Sequence, residues 1–370
     1  METSEMSLGV AAATFLSVAV TMNLGFKILH RVKIRYHMFR HTSSEPDGQI
    51  SHLFIHPVKS LKAVSVESVT TDLKGFEDDR RYMIVSPLPV PVWGSFLEGE
   101  PTHRFLSQRQ CPALATVRAT LKRDDDELVL MWKNKTLKLS KHPPPSNNPT
   151  VYKAGIWSDQ VEVVDMGDEA ADFLQAVVDS EPECRGGDEG DGPVMEAYRN
   201  VRLVVHLETD RKCPGKYTPL AHKSLFTSTP PPVALTDGFP ILVACQASLD
   251  KLNERLKESG QETIPMSRFR PNIVISGTNA FEEDTWKTIQ IGSVTLSIVK
   301  ACPRCKQSCT DQETGKVTAE PVQVMKTFRA LGDNADDVFF AQNAVAIGTG
   351  GTIRVKDSVK VLERGSPVYE

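Results

Sequence analysis

The sequence predicts an α+β, strongly β-rich protein in which an N-terminal transmembrane helix precedes two β-dominated domains with a few helices. Three observations carry that expectation. The chain has 370 residues, and single hydrophobic cores rarely grow past about 250–300 residues, so two or three units are expected. From Ile50 onward, apolar residues alternate with a period of two in short runs separated by Gly, Pro, Asn and Asp, which is the pattern of strands and turns. Ahead of them, Ser7 to Phe26 (SLGVAAATFLSVAVTMNLGF) carries no charge over twenty residues. At about 1.5 Å per residue, a helix of that length crosses the roughly 30 Å hydrocarbon layer of a bilayer.

The elements follow in order. Only Glu2 and Glu5 precede the apolar stretch, whereas Lys27, Arg31, Lys33, Arg35 and Arg40 follow it. By the positive-inside rule this keeps the C-terminal bulk cytosolic, and residues 1–41 are read as a membrane anchor with its basic flank. A first domain spans 48–179, with strand-like runs such as HLFIH, RYMIVSP, ELVLMWKNKTLKLS and VYKAGIWSDQVEVVDM. Helical spacing returns at Asp168 to Val178, where Asp168 is the expected cap. Residues 180–200, opening SEPECRGGDEGDGP, are acidic and Gly-rich and read as a linker. A second domain spans 201–364 and opens on the strand VRLVVHL. A helix is expected from Ser248, as its cap, to Ser259, stopped by Gly260. The strands NIVISG, TIQIG, VTLSIVKA, AVAIG and TIRVKDSVKVL come after it. No repeat of 20–50 residues is visible, which argues against solenoids and propellers.

Composition narrows the function. With 40% hydrophobic and 24% charged residues, the chain is globular in type. Its net charge of −4 excludes an electrostatic nucleic-acid binder. The first 41 residues contribute five basic and two acidic groups, leaving about −7 on the remainder, so any anion site there must be a local basic cluster. Seven cysteines, an odd and low number, do not form a secreted disulfide framework and fit thiols free to act as ligands or nucleophiles in a reducing compartment.

The densest reactive segment is Ala301-Cys302-Pro303-Arg304-Cys305-Lys306-Gln307-Ser308-Cys309, directly after the apolar run VTLSIV. Arg304 and Lys306 favour a neighbouring thiolate. Three readings compete with thiolate chemistry there. A structural zinc site needs four ligands, and no histidine occurs beyond His222. A thioredoxin-like pair would use the spacing Cys302-x-x-Cys305, but that motif should open a helix and here runs on into the turn-like TDQETG. The cysteines could also be small buried hydrophobes. Three further stations are His56-Pro57-Val58-Lys59-Ser60, Asp78-Asp79-Arg80-Arg81-Tyr82 and Phe269-Arg270-Pro271-Asn272. Taken singly, each is explained better by surface charge or a salt-bridged strand end and decides nothing.

In this order, and together with Ser107-Gln108-Arg109, Thr236-Asp237-Gly238-Phe239-Pro240 and Cys302-Pro303-Arg304-Cys305, these segments resemble the MOSC-domain family and, within it, the amidoxime reducing components. The resemblance runs from about Ile50 to Leu362. It implies an N-terminal β-barrel-like domain followed by a β-barrel domain with flanking helices. It further implies a molybdenum cofactor of the molybdopterin type, with Cys305 as the catalytic molybdenum ligand. The implied cofactor-binding set is Lys59, Ser60, Arg80, Asp237, Gly238, Arg270, Asn272, Pro303 and Arg304. An anionic pterin cofactor needs such cations, arginine offering a planar fork where lysine offers a point charge. Gly238-Phe239 departs from the Thr-Ser pair of animal relatives, and Asn343 stands where an aromatic residue is expected.

The activity implied is two-electron reduction of N-hydroxylated compounds, amidoximes and hydroxylamines, to amidines and amines. The resemblance further implies that electrons arrive from cytochrome b5 and NADH cytochrome b5 reductase; no G-x-G-x-x-G dinucleotide fingerprint follows a strand here. The anchor would lie in the mitochondrial outer membrane with the catalytic part facing the cytosol, endoplasmic reticulum and peroxisome being the alternatives. The alternative activity is a molybdenum cofactor carrier or a sulfur-carrying MOSC protein with a persulfide on Cys305.

Overall fold

A computed structural model describes residues 45–88, 100–122, 125–145, 148–180, 198–206, 211–219, 222 and 229–369. The anchor expected in residues 1–41 lies outside these, as does nearly all of the acidic segment 180–200. Among the described residues no helix is long and apolar enough to cross a membrane.

The first half supplies strands β1 (Gly48–Ile55), β2 (Val64–Val66), β3 (Ser68–Asp72), β4 (Gly75–Phe76), β5 (Tyr82–Pro87), β6 (His103–Phe105), β7 (Arg118–Lys122), β8 (Glu127–Trp132), β9 (Lys135–Ser140), β10 (Val151–Ile156) and β11 (Asp159–Asp165). Helix α1 (Asp168–Asp179) follows. The second half supplies β12 (Arg202–His206), β13 (Ile241–Cys245), helix α2 (Gln246–Glu258), β14 (Ile273–Ser276), β15 (Trp286–Ile291) and β16 (Val294–Arg304). The short helix α3 (Val322–Lys326), β17 (Val338–Ile347), β18 (Thr352–Arg354) and β19 (Ser358–Arg364) complete it.

Two sheets close on themselves. The smaller barrel has the order β10-β11-β12-β5-β6. The larger sheet runs β14-β13-β17-β16-β15-β19-β1-β2, and the additional pairing of β14 with β1 closes it. In β1 the alternation turns Ile50, Leu53 and Ile55 inward, where they pack with Val243, Ile275, Trp286 and Leu296. Met83, Val85, Ile156, Val163 and Val204 fill the smaller barrel. Outside it, the meander β7-β8-β9 packs against α1, whose buried Ala170, Leu174, Val177 and Val178 share one helical face. Helix α2 lays Leu249, Leu252 and Leu256 on the outside of the larger barrel, beside Val274 and Phe340.

Two strands pair across the spans 48–179 and 201–364 expected from sequence. Strand β1 leaves the first half to pair antiparallel with β14 and β19 of the second. Conversely β12, expected to open the second domain, lies between β11 and β5 of the smaller barrel. Alternation identifies a strand but carries no information about its distant partner, and hydrogen-bonding edges are indifferent to sequence order. Two expected caps also differ. Gly167 precedes α1, so Asp168 is its first helical residue and contributes a favourable N-terminal charge rather than a side-chain cap. Helix α2 begins at Gln246, and the Ser248 hydroxyl donates to Glu283 and accepts from the Phe281 amide instead of capping.

The strand exchange brings loops of both halves to one place. The turn after β1 carries Lys59 and Ser60, and the turn before β5 carries Arg80. Gly75, at φ +117°, lies so close to Pro240 that a Cβ there would sit 2.6 Å from the proline Cβ. Only glycine lets the β3–β4 hairpin pack against the 236–240 loop in this way.

Candidate functional site

A cavity of about 440 Å³ lies where these loops meet the end of β16. Lys59, Ser60, Arg80, Asp237, Gly238, Arg270, Asn272, Pro303, Arg304 and Cys305, scattered over nearly 250 positions of sequence, all line it. Phe105, Arg109, Trp157 and Cys302 join them. Seven basic side chains but only two carboxylates face the cavity, which makes it a local cationic site in an acidic protein.

The cations are held in different ways. Lys59 is buried, and its Nζ donates to Asp237 Oδ1 at 2.5 Å and lies 5.0 Å from the Phe105 ring centre. Burial pulls its pKa down to about 8 against the opposing pull of Asp237. Arg80 Nη1 donates to Asp79 Oδ2 and, at 3.2 Å, to Asn272 Oδ1. Asn272 also accepts from the Leu242 amide and donates to Asp79 and to the Phe54 carbonyl. Asn272 is therefore engaged on every side, and its part is to align Arg80, β1 and β13. Behind Arg80 lies His56, fully buried and kept neutral, its pKa lowered to about 3 by burial and then by Arg80 and Arg270.

Arg304 is similarly committed. Its Nε and Nη2 donate to the Phe340 carbonyl at 2.8 and 2.7 Å and its Nη1 to the Phe269 carbonyl at 3.0 Å. It fixes the end of β16 and hence the position of Cys305. Arg270 is the contrasting case. It is only 8% exposed, has no carboxylate within ion-pair distance among the described residues, and makes one hydrogen bond, from Nη1 to Gln312 Oε1 at 3.2 Å. A buried charge without a directly paired carboxylate is costly, and burial and then Arg80 push its pKa down against the more distant Asp79 and Asp237. Such a guanidinium calls for an anion.

Cys305 is an exposed thiol at the cavity mouth, and Arg109 Nη1 approaches its Sγ at 3.5 Å. Arg109 is held by stacking on Trp157, 4.2 Å from the ring centre, while Trp157 Nε1 donates to Asp237 Oδ1 at 3.0 Å. Trp157 occupies the β10–β11 turn at φ +55°. Ser60, Arg80 and Arg270 are also left-handed, at φ 72°, 50° and 54°. Non-glycine residues pay of order 1 kcal/mol or more each for that conformation, and such strain concentrates at functional sites. The 236–237 loop is set by buried Arg211, which donates to the carbonyls of Ala234, Thr236 and Asp237 and pairs with Asp159 at 2.7 Å.

The rival cysteine readings fit poorly. Cys302 lies within β16 and Cys305 just past it in extended conformation. Three extended steps span roughly 10 Å, beyond the roughly 7 Å limit for a disulfide between Cα atoms. Cys302 packs against an apolar cluster, and burial raises its pKa. Among the described residues no group of three or more His, Cys, Asp or Glu is placed to hold a metal ion, so a zinc site finds no ligand set there. Five described cysteines are free thiols, as a chain without a disulfide framework requires, while Cys111 is disulfide-bonded.

The donor set fits an anionic pterin cofactor bearing a thiolate-bound metal. Cations line the interior, and an accessible cysteine, Cys305, stands at the mouth. A Cβ at Gly238 would meet nothing within 4 Å, which leaves open space beside them. Arg109 was visible in the sequence within Ser107-Gln108-Arg109, but its position at Cys305 was not. Trp157 gave no sequence signal, being an ordinary strand-end aromatic until the turn brings it over Asp237.

The comparisons agree with this architecture. Residues 47–181 match the MOSC N-terminal beta barrel domain and residues 230–360 match the MOSC domain. The chain is 30% identical to mitochondrial amidoxime reducing component 2 of Rattus norvegicus, over 98% of this chain and 92% of that protein. It is 29% identical to mitochondrial amidoxime-reducing component 1 of Mus musculus, over 96% and 92%, and 29% identical to component 1 of Homo sapiens, over 85% and 83%. The chain belongs to the amidoxime reducing component family of MOSC-domain proteins.

Proposed function

We propose that the protein is a molybdenum-dependent oxidoreductase that reduces N-hydroxylated compounds, amidoximes and hydroxylamines, to amidines and amines. The observation that carries this reading is the pairing of an exposed thiol, Cys305, with a carboxylate-free buried guanidinium, Arg270, in one cavity. Lys59, Ser60, Arg80 and Arg270 would hold the anionic end of a molybdopterin cofactor, and Cys305 would ligate its metal. When bound, the cofactor supplies two-electron oxygen-atom transfer, so that substrate, two electrons and two protons give the parent nitrogen base and water.

The protein's own groups do the remainder. Arg304 holds the strand end that presents Cys305. Arg109 offers an N–H to its sulfur, the kind of outer hydrogen bond that tunes a metal ligand. Trp157 and Phe105 wall one side against water. Electrons would arrive from cytochrome b5 and NADH cytochrome b5 reductase. The names of the relatives favour a mitochondrial location, and with the apolar N-terminal stretch this suggests the outer membrane, facing the cytosol.

The test is benzamidoxime reduction reconstituted with cytochrome b5 and its reductase, alongside molybdenum analysis. Wild type should carry about one molybdenum per chain, and Cys305→Ala should lose turnover. Purified protein without molybdenum, or a Cys305→Ala variant as fast as wild type, would overturn the proposal. Molybdenum without turnover would favour the carrier reading.

A further inference from the structure

Two glutamines join the halves of the molecule directly behind the cavity. Gln108 follows β6 of the smaller barrel, and Gln312 lies in the loop after β16 of the larger one; they are 1% and 3% exposed. Gln108 Nε2 donates to Gln312 Oε1 at 3.0 Å, and Gln312 Nε2 donates back to Gln108 Oε1 at 2.9 Å. The second proton of Gln108 Nε2 goes to the Ser60 carbonyl at 2.8 Å, and that of Gln312 Nε2 to the Thr310 carbonyl at 3.1 Å. The remaining acceptor site on Gln312 Oε1 takes the single hydrogen bond of Arg270. Every donor of the pair is used, and two of its bonds end on residues that line the cavity in left-handed conformation, Ser60 and Arg270.

We propose that the Gln108–Gln312 pair is a positioning device that orients Arg270 and Ser60 toward a bound anionic cofactor while leaving the charge of Arg270 unneutralised. The argument is one of chemical choice. A buried arginine is ordinarily paired with a carboxylate, which would satisfy its geometry and cancel its charge together. An amide oxygen fixes the fork with one neutral hydrogen bond and keeps its other N–H groups and its full charge for an incoming phosphate-type anion. Because the amide pair bridges the two halves, the same bonds make the aim of Arg270 depend on how the smaller barrel is seated. Gln108 and Gln312 are thus positioning residues that need not touch the cofactor.

This rests on the reading of Arg270 as an anion-binding group, and the experiment separates the two. The holoprotein is exchanged into buffer with increasing inorganic phosphate as competitor. Release of the pterin is followed by its fluorescence after oxidation, and thermal midpoints are measured in parallel. Gln312→Met, which removes the acceptor but keeps the bulk, should speed release about tenfold, the loss of one hydrogen bond to a charged group. Gln312→Glu, nearly the same shape, should release faster still, because the carboxylate competes with the anion for Arg270. Gln108→Met should also accelerate release by freeing Ser60. Arg270→Met should fail to retain the cofactor. If Arg270→Met loses the pterin while both Gln312 variants release it at the wild-type rate, the positioning role is refuted and the reading of Arg270 stands. A lower thermal midpoint with unchanged release refutes the role equally. If Arg270→Met retains the pterin as wild type does, both fall. Should Gln312→Glu not fold, Gln312→Met and Gln108→Met decide the matter alone.

Discussion

Replacing Arg270 by methionine should stabilise the cofactor-free protein and at the same time abolish cofactor retention. The guanidinium is 8% exposed and meets only the neutral oxygen of Gln312. Burial, reinforced by Arg80, lowers its pKa from an arginine's usual 12.5 to about 9. Since each pH unit corresponds to about 1.4 kcal/mol, the charged form carries a penalty bounded at about 5 kcal/mol. Arginine does not escape that penalty by deprotonating at neutral pH. Structural relaxation and water entry reduce such costs, and replacing buried ionic groups with apolar residues of similar volume gains about 1–4 kcal/mol at most. Against this, Gln312 loses one donor, which costs about 1 kcal/mol. The expected balance is a gain of up to about 3 kcal/mol in the cofactor-free protein, read as a higher midpoint in urea with an unchanged slope. The same variant, expressed with cofactor available, should contain almost no pterin. A cofactor-free Arg270→Met protein that is less stable than wild type by 2 kcal/mol or more, on the order of a core truncation, would show that the guanidinium is structural and the reasoning false.

Three other outcomes are expected. Because the Lys59 pKa is near 8 in the folded chain, its ammonium is lost as pH rises past that value. Pyrophosphate affinity of the cofactor-free protein should therefore begin to weaken near pH 8 by calorimetry, and in Lys59→Arg the onset should move to higher pH, where Arg270 titrates. His56 has its folded pKa lowered to about 3 from the ordinary 6.5, so the unfolded chain binds the extra proton and stability must fall on acidification below pH 6.5. Its contribution is about 1.4 kcal/mol per pH unit across that window. His206 is shifted in the same direction but is partly exposed, and His56→Leu should remove one proton's worth from denaturation curves taken between pH 4 and 6.5. Trp157→Ala removes the stack on Arg109 and the N–H to Asp237, worth about 1 kcal/mol each. It should raise KM for benzamidoxime several-fold and, by loosening Arg109 at Cys305, lower kcat as well, whereas an unchanged KM would show that Trp157 does not form the cavity wall.

Much of the site was legible because its residues come in short, charge-dense segments that a strand end or turn must display together. Lys59-Ser60 and Cys302 to Cys305 are of this kind, and the loops do bring them to one cavity. The individual parts were less legible. Arg304 and Asn272 look like ligand contacts in a sequence, yet their hydrogen bonds are spent on the protein's own carbonyls and side chains. Gln312, inside the turn-like TDQETG, reads as a solvated polar residue. Its burial depends on Gln108, 204 positions away. Side-chain type can show that a group is able to bind, but its free donors are known only when its neighbours are.

The sequence by itself determined the class of the protein: an apolar stretch with a basic flank, many short alternating strands, and cationic motifs around a thiol in an otherwise acidic chain. These follow from local rules, since side-chain period sets strand against helix and composition sets the charge available at each segment. Only the tertiary structure decided that β1 closes the larger barrel and β12 the smaller, that Arg270 is buried without a carboxylate, and that Arg109 lies against Cys305. Those facts depend on pairings between residues far apart in the chain. A strand edge accepts any partner that completes its hydrogen bonds and its core, and so local sequence leaves the choice to the packing of the whole.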